Sequence, residues 1–398
     1  MNKTVHCTRR TFLTSEYVIS QSAQDLIYLI HCALHGQKAA AERVNGFDME
    51  NLFKLAKFHS LNAMASFPLE GMVSDDVMVP WREGRERALR RNLLLDIERQ
   101  HLCGVMENWG IWHMRLKGSI IKDLYPRMEM RQMSDQDILF DDTYRKKIRQ
   151  YMVSRGYDPK GRHDSHHDIY FKDPVYNIEM HRTLFEKNCD LRIVNYYKKI
   201  KERLIPDAPG SYGCHFTDED FYIYMIAHAY KHYQIHGVGL RSYVDVYVYE
   251  MKKGATMDWD YVRQECAKMG METYEEQCRI MARKLFAGDR IEELDAQEQK
   301  VLRFCFDSGT HGCENGRIRH QLRQLQADGK KIGFWAKFRY LMRRLFPSME
   351  WMKQKSLMVR KHPWTLPFAW VGRLFRGIFK RGGHTAAELR YVMESEES

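Results

Sequence analysis

Residues 133–140, Met-Ser-Asp-Gln-Asp-Ile-Leu-Phe, read as a strand that carries two carboxylates, Asp135 and Asp137, two positions apart. Side chains alternate along a strand, so this spacing projects both acids from one face. Two like charges held side by side repel, and a divalent cation between them removes the repulsion. Mg²⁺ typically binds through one or two carboxylates plus phosphate oxygens. Upstream, Lys117-Gly118-Ser119 reads as a turn that offers backbone N–H groups to a phosphate. The combination points to metal-dependent phosphoryl or nucleotidyl transfer.

The surroundings of that run set the fold class. Residues 16–110 carry apolar side chains at helical spacing: Leu26, Ile27, Ile30 and Leu34, then Leu52, Leu55, Ala56 and His59 in one helix over residues 51–63. A long charged helix over residues 81–109 is expected to bury a stripe through Leu89, Leu93, Leu94, Ile97 and Leu102. Residues 111–183 change character. A short strand at 111–116 leads to helical turns at 119–125, the acidic strand, and a helix over 141–156 capped by Asp141 or Asp142 and ended by Gly156. Residues 166–172 and 175–182 then form a hairpin across Asp173-Pro174. The chain is helical again from 216 to about 308. The expectation is an α+β protein with a small mixed sheet between helical regions. Its units are a helical region at 1–110, a catalytic core at 111–205, a helical acceptor-side domain at 206–315 and a basic, aromatic tail at 316–398.

Two-metal chemistry needs a third carboxylate from a neighbouring strand. The alternating run 176–181 supplies Glu179, on the face shared by Asn177 and His181. A Glu in a core strand is costly unless paired or metal-bound. Three histidines, His228, His232 and His236, follow at i, i+4 and i+8. They cannot easily meet one ion on a straight helix, so a structural or acceptor-facing role is expected. Arg241 and Asp245, at i and i+4, either pair across one turn or line the acceptor cleft. His163, His166 and His167, with Asp164 and Asp168, cluster near the hairpin. A polar loop and strand edge beside the site describes them better than a metal centre.

The run Leu116-Lys117-Gly118-Ser119, Leu124-Tyr125-Pro126, Arg131 and Ser134-Asp135-Gln136-Asp137-Ile138-Leu139 resembles the signature of DNA-polymerase-beta-type nucleotidyltransferases. More narrowly it resembles a poorly characterised bacterial branch. That branch joins a Lys-Gly turn, Tyr-Pro, Arg and Asp-x-Asp to a later Glu/Asp-x-His strand, here Glu179-Met180-His181. It adds a helical pattern matched by His228, His232, Gly239-Leu240-Arg241 and Asp245. The likeness spans residues 20–350, with its specific motifs in 116–245. It implies that Asp135, Asp137 and Glu179 bind Mg²⁺ or Mn²⁺ and carry catalysis, with Glu179 helping to deprotonate the acceptor. Gly118 and Ser119 are implied phosphate contacts, as are Lys117 and Arg131, while His181, His228, His232, Arg241 and Asp245 face the acceptor. The implied reaction moves an NMP from an NTP, ATP among them, to an acceptor hydroxyl or phosphate and releases pyrophosphate. Two departures stand out. The gap from Gly118 to Asp135 is longer than in the broader superfamily, though usual for the branch. Gln136 also replaces an apolar residue, which implies a less buried strand there or a polar partner.

Charge is distributed unevenly along the 398 residues. The formal net charge is +11, but residues 317–381 hold 17 Lys or Arg against two acids, so this segment is +15 and the remainder −4. Within it Trp364, Phe368, Val371, Leu374, Phe375, Ile378 and Phe379 form an apolar set, with Arg373, Arg376 and Lys380 to the other side. Packing on the protein's own core is the favoured expectation, peripheral contact with an anionic membrane comes next, and nucleic acid is a third option that is not favoured. Residues 8–13 resemble a twin-arginine signal, but Glu16, Gln21 and Asp25 interrupt the apolar core that should follow. With nine scattered cysteines and no C-x-x-C pair, the expected location is cytosolic. Two rival functions remain: a non-catalytic binding protein working through the tail, and a toxin-type nucleotidyltransferase acting on tRNA or protein.

Overall fold

The computed structural model describes residues 19–310 apart from 161–165, 187–188 and 236; beyond 310 it describes 318, 322, 334–349, 351–352, 356–373 and 392–393. His163, Asp164 and His236 lie outside the described residues, as do Leu374, Phe375, Arg376, Ile378, Phe379 and Lys380 of the tail. The described chain is α+β, with a mixed sheet between two helical regions.

Among the described residues five helices precede the sheet: α1 (Gln21–Leu34), α2 (Ala41–Val44), α3 (Met49–Phe58), α4 (Asn62–Leu69) and α5 (Asp75–Asn108). The single helix expected over 51–63 is broken between α3 and α4, where Ser60 takes a φ of 54°. That conformation cannot continue a helix. In α5 the expected stripe holds at Leu102 but lies elsewhere for the rest of the helix. The buried line runs through Trp81, Ala88, Asn92, Leu95, Leu102 and Met106, whereas Leu93 and Ile97 are exposed. Asn92 explains the shift. Its buried amide donates to the Met128 and Arg131 carbonyls (2.7 and 3.0 Å) and accepts from the Met133 N–H (3.2 Å). A polar residue thereby belongs to the inward face and holds the loop that leads to the two aspartates.

The strands are β1 (His113–Arg115), β2 (Gln136–Phe140), β3 (Asp158–Lys160), β4 (His167–Lys172), β5 (Tyr176–His181), β6 (Ile205–Pro206) and β7 (Gly213–His215). Their order is β3-β4-β5-β2-β1-β7-β6. Strand β2 runs parallel to β5 and antiparallel to β1, and the expected hairpin is β4–β5. The acidic strand is shorter than expected, so Asp135 stands just before it. Between β1 and β2 lies the one-turn helix α6 (Gly118–Ile121). After β2 comes α7 (Arg145–Ser154), entered through a turn in which Asp141 accepts from the Thr143 N–H, and Gly156 follows it with a φ of 81°. The two-residue and three-residue strands β6 and β7 were not foreseen. They are too short to show alternation, and β7 joins the sheet through parallel pairing with β1.

Alternation divides the sheet. Ile138 and Phe140 of β2 and Ile178 and Met180 of β5 pack against Leu95, Leu102 and Met106 of α5 and Ile148 and Met152 of α7. The opposite face, with Asp137, Glu179 and His181, looks toward the second helical region: α8 (Leu191–Tyr196), α9 (Asp218–Ile235), α10 (Leu240–Lys253), α11 (Trp259–Lys268), α12 (Glu272–Phe286) and α13 (Ala296–Ser308). A single apolar cluster runs from Leu26 of α1 through Met114 and Leu139 of the sheet to Cys305 of α13. Beyond residue 310, Trp364, Phe368 and Val371 expose half or more of their surface (72, 67 and 51%). The expectation that the apolar tail packs on the core is therefore not met at its described members. Among the described residues no helix is long and apolar enough to cross a membrane.

Candidate active site

The strand pair β2–β5 builds the centre. Asp137 and Glu179 are register partners on parallel strands, so their side chains rise together from one face. His181, two residues on, bonds Asp137 Oδ1 through Nε2 at 2.6 Å and lies 3.6 Å from Glu179 Oε2. Lys117 Nζ donates to the same Asp137 oxygen at 2.9 Å. Asp137, Glu179 and His181 each offer one ligand atom within 4.8 Å of the others. The two aspartates titrate in opposite directions. Burial would raise Asp137, yet Lys117 and His181 hold it well below the usual carboxylate range. Asp135 is pushed up to about 6, first by burial and then by the charge of Asp137, with Glu179 adding to it. Burial likewise opposes the charge of Glu179, and nearby His181 keeps its pKa low. Three mutually repelling carboxylates, one already driven toward its neutral form, suit a cation that would relieve them.

These groups line a cleft of about 390 Å³ between the sheet and helices α9 and α10. Lys117, Gly118, Arg131, Asp135, Asp137, Glu179, His181, His228, His232, Arg241 and Asp245 all border it, so nearly the whole predicted set converges. Ser119 is the exception. It is fully buried, and its hydroxyl donates to the Leu116 carbonyl at 2.8 Å. Lys117 itself has a φ of 47°, an uncommon left-handed conformation that aims its side chain while the chain turns into α6. Gly118 is required by close approach, because a Cβ there would meet Arg131 Nη1 at 2.4 Å and Met133 Sδ at 2.8 Å.

Arg131 and Asp245 form a forked pair, Nε to Oδ1 at 2.7 Å and Nη2 to Oδ2 at 2.9 Å, and Tyr125 donates to Oδ1 at 2.8 Å. Burial works against the charge on Arg131, but Asp245 holds its pKa above the ordinary value. Arg241 does not pair with Asp245 across the helix turn. It donates to the Gln132 carbonyl at 3.0 Å and borders the cleft, and burial followed by Arg131 lowers its pKa. His228 and His232 approach at 3.3 Å between Nε2 atoms, and burial pushes His228 well below its ordinary value. Gln136 meets neither expectation. It is fully buried, and neither amide atom has a hydrogen-bond partner among the described residues.

Sequence reasoning missed Lys231. It borders the cleft, and burial, then Lys117, lowers its pKa. Its signal was helical spacing: it stands three residues after His228 and so shares a face of α9 with it. His166 and His167 also border the cleft. Asp168, in contrast, is occupied by a forked bond from Arg145 (2.7 and 2.6 Å). A larger cavity of about 550 Å³ between α1, α2 and the end of α12 holds Asp25 and Arg43 but none of the clustered carboxylates.

A family model described as an uncharacterised nucleotidyltransferase matches residues 45–287, more than half of the chain and a narrower span than 20–350. No curated protein and no solved structure matches.

Proposed function

Because the chain belongs to the uncharacterised nucleotidyltransferase family, we propose that its cleft moves an NMP from an NTP to an acceptor hydroxyl or phosphate and releases pyrophosphate. The observation that carries this reading is the register pairing of Asp137 with Glu179, beside Asp135 with its pKa raised to about 6. Divalent cations held by Asp135, Asp137 and Glu179, Mg²⁺ or Mn²⁺, would neutralise charge on the reacting phosphate. Lys117, Lys231 and Arg241 of the cleft lining offer positive charge to the triphosphate. Arg131 is taken up by Asp245, so its part is to hold the loop before β2 in place. Glu179 serves the acceptor's proton, and His228 and His232 line the acceptor side. Catalysis rests on positioning and charge compensation, as in phosphoryl transfer generally.

The test is incubation of the full chain with labelled NTPs, Mg²⁺ or Mn²⁺, and cell extract. Label should appear on an acceptor only when the metal is present. Transfer that survives Asp135→Asn combined with Asp137→Asn would refute the assignment.

A second reading concerns the tail. Trp335, Trp364 and Phe368 are largely exposed (71, 72 and 67%) within the segment of +15 charge. This supports peripheral contact with an anionic membrane. Co-sedimentation with phosphatidylserine vesicles, but not with phosphatidylcholine vesicles, checks it.

A further inference from the structure

Three imidazoles meet beside the carboxylates. His167 on β4 and His181 on β5 are register partners, so their side chains are neighbours on one face of the sheet. His166 immediately precedes β4, with Nε2 3.0 Å from His167 Nδ1. The ring centroids stand 4.2 Å apart for His166 and His167, 5.0 Å for His167 and His181, and 5.4 Å for His166 and His181. One nitrogen of each ring lies within 4.8 Å of the other two.

Each ring also has a carboxylate near one nitrogen. His181 Nε2 is 2.6 Å from Asp137, His167 Nε2 is 3.8 Å from Glu179, and His166 Nδ1 is 3.3 Å from Glu186. For His181, whose side chain is 1% exposed, this leaves Nδ1 buried with no hydrogen-bond partner among the described residues. An orphaned buried ring nitrogen is costly, and the transfer reaction gives it no task. A carboxylate on one nitrogen and a bare lone pair on the other is the arrangement of metal-bound imidazoles, in which the carboxylate fixes tautomer and orientation.

We propose that His166, His167 and His181 form a site for one Zn²⁺ ion, separate from the Mg²⁺ or Mn²⁺ held by Asp135, Asp137 and Glu179. Donor chemistry separates the two. Imidazole nitrogen suits Zn²⁺, whereas Mg²⁺ demands oxygen donors in near-octahedral array. The 3.0 Å between His166 Nε2 and His167 Nδ1 is close to the edge of a tetrahedron with Zn–N bonds of about 2.0–2.1 Å. Three nitrogens leave a fourth position on the cleft side, since all three rings border the cleft. His181 ties the two sites together, because it holds Asp137 through Nε2 while Nδ1 is offered to the ion. The site rests on these contacts and not on the transfer reaction.

Titration calorimetry of the full chain with Zn²⁺, in a large excess of Mg²⁺, tests the proposal. Alanine at His166 and at His167 should each weaken Zn²⁺ binding about tenfold or more. Asp135→Asn, which removes a carboxylate outside the imidazole cluster, should leave Zn²⁺ affinity within about twofold while abolishing transfer, so the two sites fail separately. The Co²⁺-substituted protein should show the visible bands of a tetrahedral nitrogen-ligated ion without thiolate charge transfer. Melting curves without metal check that the variants fold, and His167→Asn replaces His167→Ala if the latter does not. The proposal is overturned by no Zn²⁺ binding in the presence of Mg²⁺, by affinity unchanged in both histidine variants, by affinity lost in Asp135→Asn, or by thiolate bands.

Discussion

Two buried charged groups face each other across the cleft, and they are built on opposite principles. On α10, Asp245 has each oxygen bonded to Arg131, with Tyr125 adding a third bond, so charge and hydrogen-bonding capacity are matched within the protein. On the sheet, Asp135, Asp137 and Glu179 face Lys117 and His181, both of which bond one oxygen of Asp137. The three carboxylates there share one bonded lysine and one histidine, and Asp135, through burial first and the charge of Asp137 second, has its pKa pushed up to about 6. The first arrangement holds a fold together. The second leaves charge for a ligand to complete, which is how binding sites differ from structural ion pairs.

The contrast can be broken by experiment, and the largest effect is expected on the structural side. Asp245→Ala strands a buried guanidinium and should cost about 3–5 kcal/mol of unfolding free energy, measured by urea titration. A loss below about 1 kcal/mol would mean that the pair is not structural. On the ligand side, Asp137→Asn should lower transfer by about 10²–10³-fold in single-turnover assays. Its stability should also fall, though less than that of the Asp245 variant, because Asn keeps a hydrogen-bond acceptor for Lys117 and His181 and Lys117 is 21% exposed.

Gly118→Ala probes the seam between the two groups. The added methyl meets Arg131 Nη1 and Met133, and overpacking of this kind costs about 1–3 kcal/mol. Calorimetric melting should show the loss, and transfer should fall with it because Arg131 fixes the loop before β2. The smallest effect sharpens the comparison most. The Asp135 pKa is raised in the folded state, so its proton is bound more tightly there than in the unfolded chain. Asp135 should therefore cost metal-free protein stability as pH rises from about 4 to about 6, read as the difference between the parent and Asp135→Asn, because His59, His167 and His228, whose pKa values burial lowers, act in the opposite direction. Asp135→Asn should remove this pH dependence and raise metal-free stability near neutrality by about 1 kcal/mol, while transfer is lost. A variant less stable than the parent would show that Asp135 is already compensated within the protein.

How far the site was legible depends on the range of each signal. Asp137 and Glu179 could be placed together because strand alternation is local and their strands lie within one short α+β unit. The turn at Lys117-Gly118 was equally legible as a motif, whereas the burial of Ser119 was not, because its Leu116 bond is a packing outcome. Lys231 carries no motif and becomes a cleft residue only through the placement of α9. In α5 the expected stripe was right at Leu102 but wrong at Leu93 and Ile97, because apolar pattern alone cannot weigh a buried Asn92 that bonds three backbone groups.

By itself, the sequence determined the α+β class, the acidic strand, the hairpin and the strand face that Glu179 shares with His181, since these follow from period, turn chemistry and side-chain type. Tertiary structure alone decided that Asp245 is paired by Arg131 and not by Arg241 across its own helix turn. It also brought His166, His167 and His181 together and made β7 a neighbour of β1. These facts join residues far apart in the chain, and only the packing of sheet against helices brings their atoms within bonding distance.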